Sequence, residues 1–171
     1  MSTQAVSFPS GYRIRRMNSE DIGQVCEIAA HAWKRIHESA TQIMGSDMHE
    51  ILCANWEEKK ARAITDHWER NPEWVRVVEA VDCQVVAFLT FRIDPEKSLG
   101  TLLNNAVSPA LQGKGIGTAM YAFVLNLFRE EGMAYASVGT GLDDGHARAR
   151  KAYEKVGFNV AQPHVTYYQK L

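Results

Sequence analysis

The residues best suited to chemistry lie between Val107 and Thr118, where the chain reads Val-Ser-Pro-Ala-Leu-Gln-Gly-Lys-Gly-Ile-Gly-Thr. Gly113, Gly115 and Gly117 lack the Cβ atoms that keep a ligand away from the main chain. An amphipathic pattern begins at Ile116, so the unpaired amides of a helix's first turn should point out of this segment, backed by the positive end of the helix dipole. That is the chemistry of a diphosphate cradle. Two other phosphate-binding readings fail on spacing. The phosphate loop of nucleotide hydrolases needs Ser or Thr directly after Gly-Lys, where this chain has Gly115. The dinucleotide fingerprint needs a glycine at its sixth position, where this chain has Thr118. A connector that binds nothing is the remaining alternative, and the Gln112 prefix and the helix pattern argue against it.

The other reactive side chains form no comparable signature. His31, His37, His49, His67, His146 and His164 show no HExxH or similar ligand spacing, so no metal is expected. Cys26, Cys53 and Cys83 are three widely spaced cysteines that fit neither a disulfide framework nor a CxxC clip, and they read as reduced thiols. Lys and Arg total 19 against 20 Asp and Glu, a net charge of −1 that gives no general attraction to nucleic acid or to an anionic membrane. No apolar run has the length of a signal peptide or a membrane span, so a soluble, cytoplasmic protein acting on small molecules is expected. With 171 residues and 46% apolar content, residues 1–171 are expected to form one domain.

The elements that must hold the glycine turn can be read from periodicity. Tyr12 to Arg16 alternates weakly and predicts a short opening strand. Asn18, Ser19 and Asp21 are helix-entry residues. Ile22, Val25, Cys26, Ala29, Trp33 and Ile36 then recur at helical spacing, predicting a first helix from about Ser19 to about Ala32 or slightly beyond. After Gly45-Ser46-Asp47 a second helix carries Met48, Leu52 and Trp56 and ends near Asn71 and Pro72. WVRVVEAV and QVVAFLTFRI, separated by Asp82 and Cys83, predict a hairpin, and Leu99 to Val107 a third strand. A helix through Ile116, Met120, Phe123, Leu127 and Phe128 stops before Gly132. Ala134 to Thr140 reads as a strand, Gly145 to Val156 as a helix closed by Gly157, and Val165 to Lys170 as a final strand, with a further short strand near Phe158 to Ala161 as an option. The order predicts an α/β unit with helices on both faces of a mixed sheet.

Gln112-Gly113-Lys114-Gly115-Ile116-Gly117 resembles the hallmark of the Gcn5-related N-acetyltransferase (GNAT) superfamily: Gln or Arg, two residues, Gly, one residue, then Gly or Ala. His146-Ala147-Arg148-Ala149-Arg150-Lys151-Ala152-Tyr153-Glu154-Lys155-Val156-Gly157-Phe158 resembles the later helix of that family, which carries Asn, Ala, Tyr and a closing Gly-Phe; His146 departs from the usual Asn. The resemblance covers most of the chain from Trp74 onward. It implies a mostly antiparallel central sheet splayed at a coenzyme A cleft, with pantetheine bonded to strand backbone. Acetyl-CoA would be the co-substrate, its diphosphate on the amides of Gln112, Gly113, Lys114, Gly115, Ile116, Gly117 and Thr118 and its thioester near Ala106 and Val107. His146 and Ala149 would contact the coenzyme, and Lys114 would support the diphosphate electrostatically. One of Arg148, Arg150, Lys151 and Lys155 could reach the 3′-phosphate.

Acetyl transfer to a primary amine needs a neutral nitrogen, an oxyanion donor and a proton for the departing thiolate. By resemblance, Tyr153 is the proton donor, and a backbone N–H near Val107 serves the oxyanion. Relatives often place a glutamate in the central strand, but Leu99 to Asn105 contains no carboxylate. A water held by Thr101, Asn104 and Asn105 is the first choice for deprotonation, with Glu79 and Asp94 as runner-up bases. The acceptor pocket is expected between Trp33 and Glu50, with Trp33, His37, Glu38 and Met44 as candidates. The acceptor's identity stays open, and so does oligomeric state, with a homodimer among the options because relatives often pair. The competing readings are a catalytically idle acyl-CoA sensor or interaction domain and a nucleotide-binding domain without acyl chemistry.

Overall fold

The computed structural model describes residues 6–171. Strand β1 (Tyr12–Arg16) leads into a single 3₁₀ turn entered through a capping box, in which the Asn18 side chain accepts from the Glu20 amide and the Asn18 amide donates to Asp21. Helix α1 (Ile22–Met44) runs well past the expected end near Ala32. Its apolar stripe continues through Trp33 and Ile36, and no residue breaks the helix before Gly45, whose φ of +81° reverses the chain. The second helix predicted as one piece is two: α2 (Ser46–Leu52) and α3 (Trp56–Arg70), separated where Asn55 adopts a left-handed φ of 55°.

Strands β2 (Val75–Ala80), β3 (Val85–Asp94) and β4 (Leu99–Val107) follow as consecutive antiparallel neighbours, then helix α4 (Ile116–Glu130), strand β5 (Tyr135–Val138) and helix α5 (Ala147–Lys155). The sheet order is β1-β2-β3-β4-β5, and among the described residues only β4 and β5 run parallel. Alternation along β3 feeds two cores. Ala87, Leu89 and Phe91 pack with Met120, Val124 and Phe128 of α4, while Phe88 packs with Val25 and Ile28 of α1 and Ile64 of α3. Helices therefore cover both faces, as expected.

The predicted strand at Val165 to Lys170 is not formed, nor the optional one near Phe158: residues 159–171 carry no regular element and are exposed throughout. A β-prone sequence becomes a strand only against a partner, and β5, four residues long, pairs with β4 alone. Among the described residues, no helix is long and apolar enough to cross a membrane.

Candidate functional site

The parallel pairing of β4 and β5 spans Leu99↔Tyr135 to Leu102↔Val138 and then stops. From Leu103 to Val107, β4 keeps β3 on one side and, among the described residues, has no strand on the other. A cleft of about 960 Å³ opens in that gap, walled by Leu103 to Val107, the Pro109–Thr118 turn and α5, with Trp33 and Lys60 from α1 and α3. A register shift beside Leu89 helps shape it: the fully buried Thr90 hydroxyl accepts from the Asn104 amide at 3.0 Å and donates to the Asn104 carbonyl at 3.3 Å, replacing ladder bonds at the irregularity.

Adjacent residues on a strand face opposite ways, and the two asparagines here do so. The Asn104 side chain accepts from the Lys60 ammonium at 3.0 Å, and that ammonium also lies 4.3 Å above the Trp33 ring. Burial pulls the Lys60 pKa below that of an ordinary lysine. On the other face, the Asn105 carbonyl oxygen accepts from the Tyr121 hydroxyl at 2.6 Å, and its amide donates to the Tyr153 oxygen at 3.1 Å. Burial raises the Tyr153 pKa, against the smaller opposing pull of the Asn105 and Tyr121 bonds. Lys60, Asn105 and Tyr121 carried no sequence signal of their grouping; α3 reads as a solvated helix until its contact with β4 is known.

Gln112 ties the glycine turn to the end of β4 and to α5. Its amide donates to the Val107 carbonyl at 3.3 Å, and its carbonyl oxygen accepts from Arg148 at 2.6 Å. Gly113 and Gly115 have φ of +82° and +83°, which favours glycine at both. The α4 N-terminus that follows has no side-chain cap, so its first amides face the cleft without an internal partner.

Of the residues expected to touch the coenzyme, Ala106, Val107, Gln112, Gly113, Gly115, Ile116, Gly117, Thr118, His146 and Ala149 line the cleft together with Tyr153, while Lys114 is exposed and outside its lining. His146 is oriented by Asp143, 2.6 Å from its Nδ1. Among the described residues, the lining includes five Lys or Arg side chains (Arg35, Lys60, Arg148, Lys151 and Lys155) and no Asp or Glu. Arg150 instead donates to the carbonyls of Gly141 and Asp143.

The expected bases separate. Thr101 lies in the paired part of β4, its hydroxyl 3.0 Å from that of Ser137, outside the cleft lining. Glu79 is buried between Arg13 and Arg15 on the β1–β2 side of the sheet, and Asp94 bonds Lys97 at 3.2 Å at the end of β3; neither lines the cleft. Arg15 chiefly, against the upward pull of burial and with further help from Arg13, holds the Glu79 carboxyl below its ordinary pKa. Of the acceptor-pocket candidates, Trp33 lines the cleft, His37 and Glu38 line a smaller neighbouring cavity, and Met44 lines neither.

Comparison with known proteins agrees with this architecture. The sequence model described as "Acetyltransferase (GNAT) family" matches residues 33–158. A sequence search of curated proteins finds no match. Among solved structures, the chain is similar to the PaiA N-acetyltransferase of Thermoplasma acidophilum in complex with coenzyme A, with a TM-score of 0.71, 18% identity and coverage of 90% of this chain and 92% of that one. It is also similar to the ribosomal-protein-S18-alanine N-acetyltransferase of Escherichia coli (TM-score 0.63, 18% identity, 88% and 79% coverage). A third is a GNAT family acetyltransferase of Brucella melitensis in complex with acetyl-CoA (TM-score 0.58, 20% identity, 87% and 83% coverage). At these identities the structures speak for the fold, while the family model spans most of the chain and includes both the glycine turn and α5: the chain belongs to the acetyltransferase (GNAT) family.

Proposed function

We propose that this chain transfers an acetyl group from acetyl-CoA to a primary amine of a small molecule or protein, by direct attack of the amine through a tetrahedral intermediate. The observation that carries the reading is the cleft at the β4–β5 split, whose wall joins free helix amides and basic side chains with, among the described residues, no carboxylate. Such a wall suits a ligand with a diphosphate and a further phosphate, and the edge of β4 beyond Leu102 offers main-chain groups to an extended arm. Acetyl-CoA supplies an activated acyl group on a thiolate leaving group. The amides of residues 113–118 bind the diphosphate, and Arg148, Lys151 or Lys155 neutralises the 3′-phosphate.

Tyr153 is the proton donor in this scheme. The Asn105 amide donates to the Tyr153 oxygen at 3.1 Å and the phenol in turn donates to Asn105 Oδ1 at 3.2 Å; in this scheme the phenol turns that proton from Asn105 to the departing sulfur, and burial keeps it on at neutral pH. On the opposite side of β4, Lys60 replaces the missing strand carboxylate. Its neutral fraction, enlarged by burial, accepts the amine proton directly or through a water beside Asn104.

Calorimetry with coenzyme A, followed by thiol release from acetyl-CoA across an amine panel, tests the proposal. The expected result is binding with a dissociation constant in the micromolar range, and amine-dependent thiol release. Absence of coenzyme A binding by folded protein overturns the reading. Binding without turnover on any amine would favour the acyl-CoA sensor instead.

A further inference from the structure

We propose that His37, His49 and Cys53 form a binding site for one divalent transition-metal ion of the zinc class, at the joint between α1 and α2. The site lies outside the cleft and is independent of the acetyl-transfer reading. His37 stands in the C-terminal half of α1, and His49 and Cys53 are one helical turn apart at the end of α2, so the last two share a face. The reversal at Gly45 folds that face back onto His37. Donor atoms of all three residues lie within 4.8 Å of one another, and all three side chains are partly buried.

The geometry is close to what an ion requires. His37 Nδ1 and His49 Nε2 are 3.1 Å apart, and tetrahedral zinc with Zn–N bonds of about 2.0–2.1 Å sets two imidazole nitrogens roughly 3.3 Å apart. A thiolate at a Zn–S distance of about 2.3 Å would sit roughly 3.6 Å from each nitrogen, against donor atoms that lie within 4.8 Å of one another in the metal-free chain. Two imidazoles and a thiolate are the donor set that zinc prefers over magnesium or calcium. His37 is further restrained by stacking on Trp56, with ring centroids 4.1 Å apart and planes inclined by 20°. His37 and His49 border a cavity of about 510 Å³ that also includes Glu38 and Glu57, leaving the fourth corner to water. On binding, whichever imidazole donates the nitrogen-to-nitrogen hydrogen bond moves its proton to its other ring nitrogen through solvent, the two freed nitrogens form Zn–N bonds, and the Cys53 thiol releases its proton to solvent as the Zn–S bond forms. The ion would clamp α2 to α1 beside the acceptor side of the cleft.

The test uses the metal-free full chain, titrated with Zn²⁺ by calorimetry and with Co²⁺ by absorption, with no acetyl-CoA present. One equivalent should bind, and Co²⁺ should give tetrahedral visible bands and a thiolate-to-cobalt charge-transfer band in the near ultraviolet. Cys53→Ser should abolish the charge-transfer band, whereas Cys26→Ser and Cys83→Ser should keep it. His49→Asn should weaken Zn²⁺ binding by more than the roughly 10–100-fold that outer-shell partners control. Circular dichroism checks the fold of each variant, and if one ligand variant fails to fold the other carries the test. Failure of the parent protein to take up a stoichiometric ion at micromolar Zn²⁺, or binding that survives both ligand substitutions, overturns the proposal.

Discussion

In the proposed mechanism, Asn104 and Asn105 assign two opposite proton tasks to the two sides of one strand. Lys60, held by Asn104, is lowered by burial, and Tyr153, held by Asn105, is raised by it. If Lys60 must be neutral and Tyr153 protonated, kcat/KM should climb with pH along a limb below an ordinary lysine's value of about 10.4 and fall only above the usual tyrosine value of about 10. Lys60→Met should flatten the climb relative to the parent when both are profiled with one acceptor, since the titration of that amine is common to both. Tyr153→Phe should lower kcat by about a hundred-fold while leaving the KM for acetyl-CoA within about three-fold, because it removes a proton donor and not a binding contact. An unchanged kcat in Tyr153→Phe would remove it from the chemistry.

At the scale of elements, the cleft exists because β4 outlasts β5 and is held in place without it. Thr90 supports the irregular rung beside Asn104 from a fully buried position. Thr90→Val keeps the shape but takes the partner from the partly buried Asn104 N–H, and urea unfolding should show a loss of about 1 kcal/mol. On the paired half of the same strand, a Cβ on Gly100 would collide with the Phe128 ring of α4. Gly100→Ala should therefore cost about 1–3 kcal/mol through forced displacement of that ring, read as a lowered denaturation midpoint. Substitution at Gly23, where a Cβ meets nothing within 4 Å, serves as the contrasting control.

Across the whole molecule, the far edge of the sheet is tied to the start of α1 by charge. Arg15 bonds Asp21 at 2.6 and 2.8 Å and also grips Glu79, which Arg13 meets from the other side. Burial pushes Asp21 up, but the bonds from Arg15 and from the Asn18 amide outweigh it, and both carboxyls end below their ordinary values. A depressed carboxylate contributes stability that is present above its unfolded pKa of about 4 and is lost as pH falls through its lower folded value. Arg15→Met should consequently move acid unfolding, followed by circular dichroism, to higher pH.

Much of this architecture was legible along the chain. β1 and β4 lie at the residues expected for them, and the glycine turn could be identified because glycine spacing and helix entry are local properties of the backbone. Residues that depend on chain reversal were not legible. No periodicity tells that Lys60 of α3 reaches Asn104, that Glu79 is locked by two arginines away from the cleft, or that residues 165–170 lack a strand partner. Nor does it tell that Gly45 brings His49 and Cys53 to His37. Local pattern decides what a segment can become, whereas meetings between segments distant in sequence are decided by packing and pairing, which exist only once the chain has closed on itself.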